Sequence, residues 1–291
     1  MRTVEGADAA AAVERLWPDR GATVVPLSGG ITNHNFKVDV LGQAYVLRMG
    51  GAETGVLGID RTVEYQASLR AAEVGLGPEV AGFFPEEGWL VTRFIDGHPI
   101  ALEDMRKDGE IRRVAAALRR FHDAAPIPGR FDAHAVVEVY QREAAERGVD
   151  IPDAYAGAHE TSERIRRVRG PQPLAPCHND LLNANFLDDG AVRIVDWEYA
   201  GMGDRFFDLA NFSVNHEFGA AEDELLLDAY FGEASAGALS SLGMMKFMSD
   251  FREAMWGVLQ SGISELDFDF HGYAAKHFDR LAAHSGTLRI E

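Results

Sequence analysis

Apolar and polar residues alternate over Phe36-Lys37-Val38-Asp39-Val40, the two-residue period of a strand with one buried face. Leu41-Gly42-Gln43 supplies a turn, and residues 44–49 return as a second strand. A further strand is predicted at Thr23–Leu27, and Val80–Phe84 with residues 89–94 predict a hairpin around Glu86-Glu87-Gly88. Between these strands a helix starts after Asp60, a good N-cap, runs toward Gly75 and is stopped by Gly77-Pro78. The stretch before Trp17 is alanine-rich and carries acidic residues, which predicts a short amphipathic helix and not a signal peptide.

Past Asp96-Gly97 the period changes. Ile111, Val114, Ala115, Leu118, Phe121 and His122 follow the i, i+3, i+4, i+7 rhythm of a buried helix face. Further helices are predicted at 136–147, 160–169, 205–215, 223–231, 239–263 and 270–284. Arg164, Arg166, Arg167 and Arg169 read as a solvated face. Two short strands, at 186–187 and 192–195, flank an Asp188-Asp189-Gly190 turn. The expectation is an α+β chain in two lobes: a small β-rich one over 1–96, a short hinge, and a larger, mainly helical one over 97–291.

Composition narrows the function. Hydrophobic residues make up 46% of 291, enough apolar material for two modest lobes. Lys plus Arg number 28 against 46 Asp plus Glu, a formal charge of −18. Such a surface repels nucleic acid and anionic membranes and favours a cationic small-molecule partner. No apolar run approaches the roughly 18 residues of a membrane span. The single cysteine, Cys177, permits neither an intramolecular disulfide nor a cysteine-built zinc site. A cytoplasmic protein is expected.

The chemistry concentrates in His178-Asn179-Asp180-Leu181-Leu182-Asn183-Ala184-Asn185 and Val195-Asp196-Trp197-Glu198. Phosphoryl transfer to a hydroxyl needs a carboxylate that orients the attacking group and accepts its proton. It also needs oxygen ligands that hold Mg²⁺ against the phosphates. Asp180 fits the first role. Asn185, five residues on, and Asp196, at the end of an apolar strand, fit the second. His178 reads as a residue that packs and hydrogen-bonds to hold the loop.

Upstream, Ser28-Gly29-Gly30-Ile31-Thr32-Asn33 joins two strands, and its glycines let the backbone approach phosphate oxygens while Ser28 and Asn33 add donors. No Gly-Lys-Ser/Thr follows, so it is not a Walker loop. Arg48 interrupts the apolar Tyr45-Val46-Leu47-Arg48-Met49 and places a cation toward the phosphates; Glu64, on the following helix, is its expected partner.

Together with Phe94-Ile95-Asp96-Gly97 and Asp196-Trp197-Glu198-Tyr199, these segments resemble the choline/ethanolamine kinases within the aminoglycoside phosphotransferase superfamily, a branch of the protein-kinase-like fold. The resemblance covers about residues 20–280, and the stretch from Asp196 to Asn211 looks most like bacterial choline kinases. It implies an ATP- and Mg²⁺-dependent small-molecule kinase in which Phe94 and Ile95 meet the adenine through their backbone and Asp208 buttresses the catalytic loop. Arg48 stands where protein kinases carry Lys.

A quaternary ammonium acceptor such as choline prefers an aromatic cage helped by carboxylates. In the resembled family that cage comes from the C-terminal helices. Here Met248, Phe251, Met255, Val258 and Leu259 form a core stripe, and Trp256 lies off it beside Glu253. Trp256 and Glu253 are therefore the substrate-binding candidates, with Trp197, Tyr199 and Glu217 behind them. Ethanolamine, an aminoglycoside and thiamine are alternative acceptors. A pseudokinase is disfavoured because Asp180, Asn185 and Asp196 are all present.

Overall fold

The computed structural model describes residues 6–27, 33–50, 54–264 and 266–285. Its N-terminal part contains α1 (Gly6–Leu16), β1 (Thr23–Leu27), β2 (Asn33–Val40), β3 (Gln43–Gly50), α2 (Arg61–Glu73), β4 (Val80–Phe84) and β5 (Trp89–Arg93). The strands form one antiparallel sheet in the order β1-β2-β3-β5-β4. Phe36, Val38 and Val40 are buried along β2 while Asp39 is exposed, so the alternation does set the register. The β2–β3 hairpin turns through Leu41 (φ 51) and Gly42 (φ 75), the left-handed pair that matches strand twist. Ala9, Ala12 and Val13 of α1 cover Phe36, Val38, Leu47 and Val91 on one face of the sheet.

Helix α2 is capped by Asp60, whose carboxylate accepts the backbone N–H of Thr62 at 2.8 Å and of Val63 at 3.1 Å. Its inward stripe is Glu64, Ala67, Ser68 and Ala71, at helical spacing but hardly hydrophobic. Small side chains let the helix approach closely and carry Glu64 into the interior, where it is 1% exposed. Ala67, Ala71 and the following Leu76 belong to the large helical core and not to the core under α1. So α2 docks the sheet region against the remainder of the chain.

After β5 come β6 (His98–Pro99), α3 (Leu102–Met105), α4 (Asp108–His122), α5 (Ala133–Glu146), α6 (Ala154–Arg169), β7 (Leu174–Cys177), β8 (Phe186–Asp188), β9 (Val192–Ile194), β10 (Gly201–Asp204), α7 (Arg205–Asn215), α8 (Ala220–Phe231), α9 (Ala236–Ile263) and α10 (Phe270–Ser285). Strands β6, β8 and β9 form one small sheet, and β7 pairs with β10. The mixed α+β architecture is the one the patterning predicts. Strands β6, β7 and β10 are too short for a two-residue period to show, and β10 holds two glycines. At Gly201 a Cβ would sit 3.2 Å from the Phe131 nitrogen, which is why no side chain marks that strand.

Helix α9 spans 28 residues and is buried on nearly every side between Leu242 and Gln260. It is the axis of the helical part, packed by α5, α7 and α10, so a single stripe understates its burial. One arginine departs from the solvated face predicted for α6. Arg164, Arg166 and Arg167 are exposed, but the Arg169 side chain is 4% exposed, paired with Asp204 and stacked 5.2 Å from the Phe206 ring. Among the described residues no helix is long and apolar enough to cross a membrane.

Candidate active site

The loop between β7 and β8 is held by one face of α7. Asp208, fully buried, accepts the backbone N–H of His178 on Oδ2 and of Asn179 on Oδ1, both at 2.7 Å. Three residues on, Asn211 Oδ1 accepts the N–H of Leu181 at 2.5 Å, and Asn215 donates to the Leu181 carbonyl at 3.3 Å. Asn179 sits at φ 67, a left-handed conformation that costs a non-glycine residue about 1 kcal/mol or more. The Asp208 bond and a 3.0 Å bond from Asn179 Nδ2 to the Tyr199 carbonyl hold it there.

His178 Nδ1 accepts the Asp180 N–H at 3.2 Å, so the proton resides on Nε2, which donates to the Val195 carbonyl at 3.0 Å. The ring lies edge-on to Trp197, and burial lowers its pKa. Both nitrogens are thus engaged within the protein, and the imidazole is neutral. Trp197 itself packs on Phe121 and donates to the Ile194 carbonyl.

Asn185 donates from Nδ2 to the Asp180 carbonyl at 2.8 Å, which leaves its amide oxygen as the outward end. Asp196, at φ 65, presents a buried Oδ1 that has no hydrogen-bond partner among the described residues. Burial and the carboxylates of Glu198, Glu64 and Asp180 push the Asp196 pKa well up. A buried carboxylate oxygen without a hydrogen-bond partner among the described residues, near an amide oxygen, is a donor set that fits a divalent cation. Both residues line a cavity of 380 Å³ together with Arg48, Glu64, Phe94 and Ile95.

A buried ionic network borders that cavity. Arg48 pairs with Glu64 at 2.8 Å, and Arg61 pairs with Glu64 at 2.7 Å and with Glu198 at 3.2 Å. Asn33 bridges them: its Oδ1 accepts from Arg48 and Arg61, and its Nδ2 donates to Glu198 at 2.8 Å. Arg61 and Glu198 received no role from the sequence, although Arg61 and Glu64 stand one turn apart on α2. Ser28, Gly29 and Gly30 lie outside the described residues. The Phe94 N–H donates to the Ala44 carbonyl at 3.0 Å, so the sheet already uses that donor. The Phe94 carbonyl and Ile95 remain as the backbone groups beside the cavity.

On the other side of Asp180 stands Arg252, which the sequence reading passed over. Its Nη1 donates to Asp180 Oδ1 at 3.1 Å and also to Glu253 Oε1. Its guanidinium carbon lies 4.4 Å from the centroid of the Tyr199 ring. Glu253 Oε2 accepts from the Tyr273 hydroxyl at 2.7 Å. Trp256 donates to the Tyr199 hydroxyl at 3.1 Å and meets Phe270 and Tyr273 edge-on. Trp256 and Glu253 therefore do lie together near Asp180, but the Glu253 carboxylate is already engaged by Arg252 and Tyr273. Glu217 is exposed and borders a different hollow, beside Lys246 and Arg280. Three charges in an otherwise apolar run, Asp250, Arg252 and Glu253, were the available signal for Arg252.

Burial pushes the Asp180 pKa up to about 7, against the opposing charge of Arg252. A carboxyl group titrating there can accept a hydroxyl proton near neutral pH. The arrangement thus offers a base, oxygen ligands for a cation, and guanidinium groups beside a cavity of nucleotide-binding size.

The profile of the choline/ethanolamine kinase family matches residues 24–221. Rat ethanolamine kinase 2 is 32% identical over 299 residues, covering 91% of this chain and 76% of that protein. The crystal structure of a choline/ethanolamine kinase family protein from Mesorhizobium loti superposes with a TM-score of 0.81 at 34% identity, covering 96% of this chain and 94% of the other. A spectinomycin phosphotransferase solved with ADP and spectinomycin shares the fold, with a TM-score of 0.61 at 12% identity over 91% of this chain and 93% of the other.

Proposed function

The chain belongs to the choline/ethanolamine kinase family and is a small-molecule kinase, and on that premise we propose that it transfers the γ-phosphoryl group of ATP to the hydroxyl of a small amino alcohol such as choline or ethanolamine. The observation that carries the reading is Asp180, a buried carboxylate with Arg252 and the Glu253, Tyr199 and Trp256 cluster on one side and Asn185 and Asp196 on the other.

The nucleotide occupies the 380 Å³ cavity, its base against Leu90, Ile95 and Leu187 and its phosphates toward Arg48. Glu64 and Asn33 hold Arg48 in one direction, so little is lost in ordering it when phosphate arrives. Asn185 and Asp196 would hold Mg²⁺, which would supply neutralisation of the charge on the phosphate oxygens. Asp180 accepts the proton of the acceptor hydroxyl as that oxygen bonds to the γ-phosphorus. The bond from phosphorus to the β–γ bridging oxygen breaks, ADP leaves with the electron pair, and the Asp180 proton passes to solvent. The His178, Asp208 and Asn211 bonds fix the loop so that the carboxylate is aimed before substrate enters.

An ammonium on the acceptor meets the carboxylates of Asp180 and Glu253 and the ring of Trp256, and the acidic surface favours its approach. ADP release is measured with ATP and Mg²⁺ across choline, ethanolamine, thiamine and aminoglycosides. Turnover on the first two supports the reading. Turnover only on an aminoglycoside or thiamine keeps the chemistry and removes the amino-alcohol acceptor.

A further inference from the structure

Arg252 lies in the middle of α9 with 1% of its surface exposed. A guanidinium at that depth persists only when carboxylates compensate it, and Asp180 and Glu253 both bond its Nη1. Held from two sides, it is a fixed part of the acceptor subsite and not a side chain that swings away.

The consequence falls on Tyr199. The Arg252 guanidinium stands 4.4 Å over that ring, a cation–π distance, and the Tyr199 hydroxyl is fixed by Trp256 Nε1. The protein's own cation thus takes a ring face that a substrate cation would otherwise use. The carboxylates are not used up in the same way. With Asp180 ionised, Asp180, Glu253 and Arg252 together leave one negative charge. Among the described residues each Glu253 oxygen has one hydrogen-bond partner, Arg252 or Tyr273, and a carboxylate oxygen accepts two. An ammonium bearing N–H groups can use those lone pairs. A trimethylated one cannot donate and depends on ring faces.

We propose that Arg252 is the specificity-determining residue of the acceptor subsite: by occupying the Tyr199 ring it disfavours a quaternary ammonium and selects an acceptor whose nitrogen carries hydrogen. This rests on the kinase reading above. The test is the series ethanolamine, N-methylethanolamine, N,N-dimethylethanolamine and choline at saturating ATP and Mg²⁺, with wild type, Arg252→Met and Arg252→Lys. In wild type, kcat/KM falls along the series by about tenfold or more, carried by KM. Arg252→Met levels or reverses the order, and Arg252→Lys, which keeps the charge, preserves it. Choline used as well as ethanolamine by wild type, or an unchanged order in Arg252→Met, overturns the proposal. Should Arg252→Met fail to fold, tetramethylammonium decides on wild type: no competition with the acceptor supports the assignment, and competitive inhibition overturns it. Wild type that phosphorylates none of the four compounds removes the amino-alcohol reading itself, and this proposal with it.

Discussion

Asp208 Oδ1 accepts the backbone N–H of Asn179 at 2.7 Å and so holds a non-glycine residue in the left-handed region directly before Asp180. The other oxygen of the same carboxylate takes the N–H of His178 and faces Nε2 of His122 on α4. One buried side chain thereby links two helices to the loop that aims the proposed base.

Replacing that carboxylate tests the link. Asp208→Asn keeps the shape but offers one acceptor where two amides need partners. The orphaned amide costs about 1–3 kcal/mol of stability. A lower melting temperature is expected, together with a fall in kcat larger than the change in KM for ATP. A variant with wild-type melting and kcat would show that the loop does not depend on Asp208.

Glu64 carries the charge of two guanidinium groups, Arg48 and Arg61. Glu64→Gln leaves Arg61 with Glu198 but takes from Arg48 its paired carboxylate in a buried network, where breaking a pair costs about 3–5 kcal/mol. The KM for ATP rises, because Arg48 is no longer held toward the cavity. Unchanged nucleotide affinity by calorimetry would separate Arg48 from phosphate binding.

The pH dependence follows from Asp180. Burial raises its pKa to about 7, so the carboxyl is protonated below that pH and ionised above it. A base must be ionised to accept a proton, and the rate therefore falls as pH drops through about 7. A pH–rate profile at saturating ATP and Mg²⁺ checks this. A flat profile from pH 5 to 8 would assign the proton to another group.

We infer that the two lobes meet at Asp96-Gly97. A Cβ on Gly97 would lie 2.8 Å from the Asp188 carbonyl oxygen, where β6 pairs with β8. Gly97→Ala pushes the two backbones apart and costs about 1–3 kcal/mol. Thermal unfolding and the KM for ATP read the effect, and both are expected to worsen. An alanine variant indistinguishable from wild type would move the hinge elsewhere.

The sequence shows most of the elements because their burial is one-sided. Phe36, Val38 and Val40 mark β2, and Ile111, Val114 and Leu118 mark α4. It shows Asp180, Asn185, Asp196 and the Arg48–Glu64 pair because they stand at fixed offsets within or beside regular elements. Arg252 is hidden because its partners lie 72 residues away at Asp180 and 53 away at Tyr199, distances only the fold closes. Arg61 and Glu198 are hidden for the same reason, 137 residues apart. The Phe94 donor is legible only once the strand pairing with Ala44 is known.

The most direct test of the central claim follows the product by ³¹P NMR after incubating ATP, Mg²⁺ and ethanolamine or choline with wild type and with Asp180→Asn. Wild type is expected to yield a phosphorylated amino alcohol and ADP, and the variant, still binding ATP, a rate lower by about a thousandfold. A phosphate ester formed at the wild-type rate by Asp180→Asn, or none formed by wild type with ATP bound, would contradict that claim.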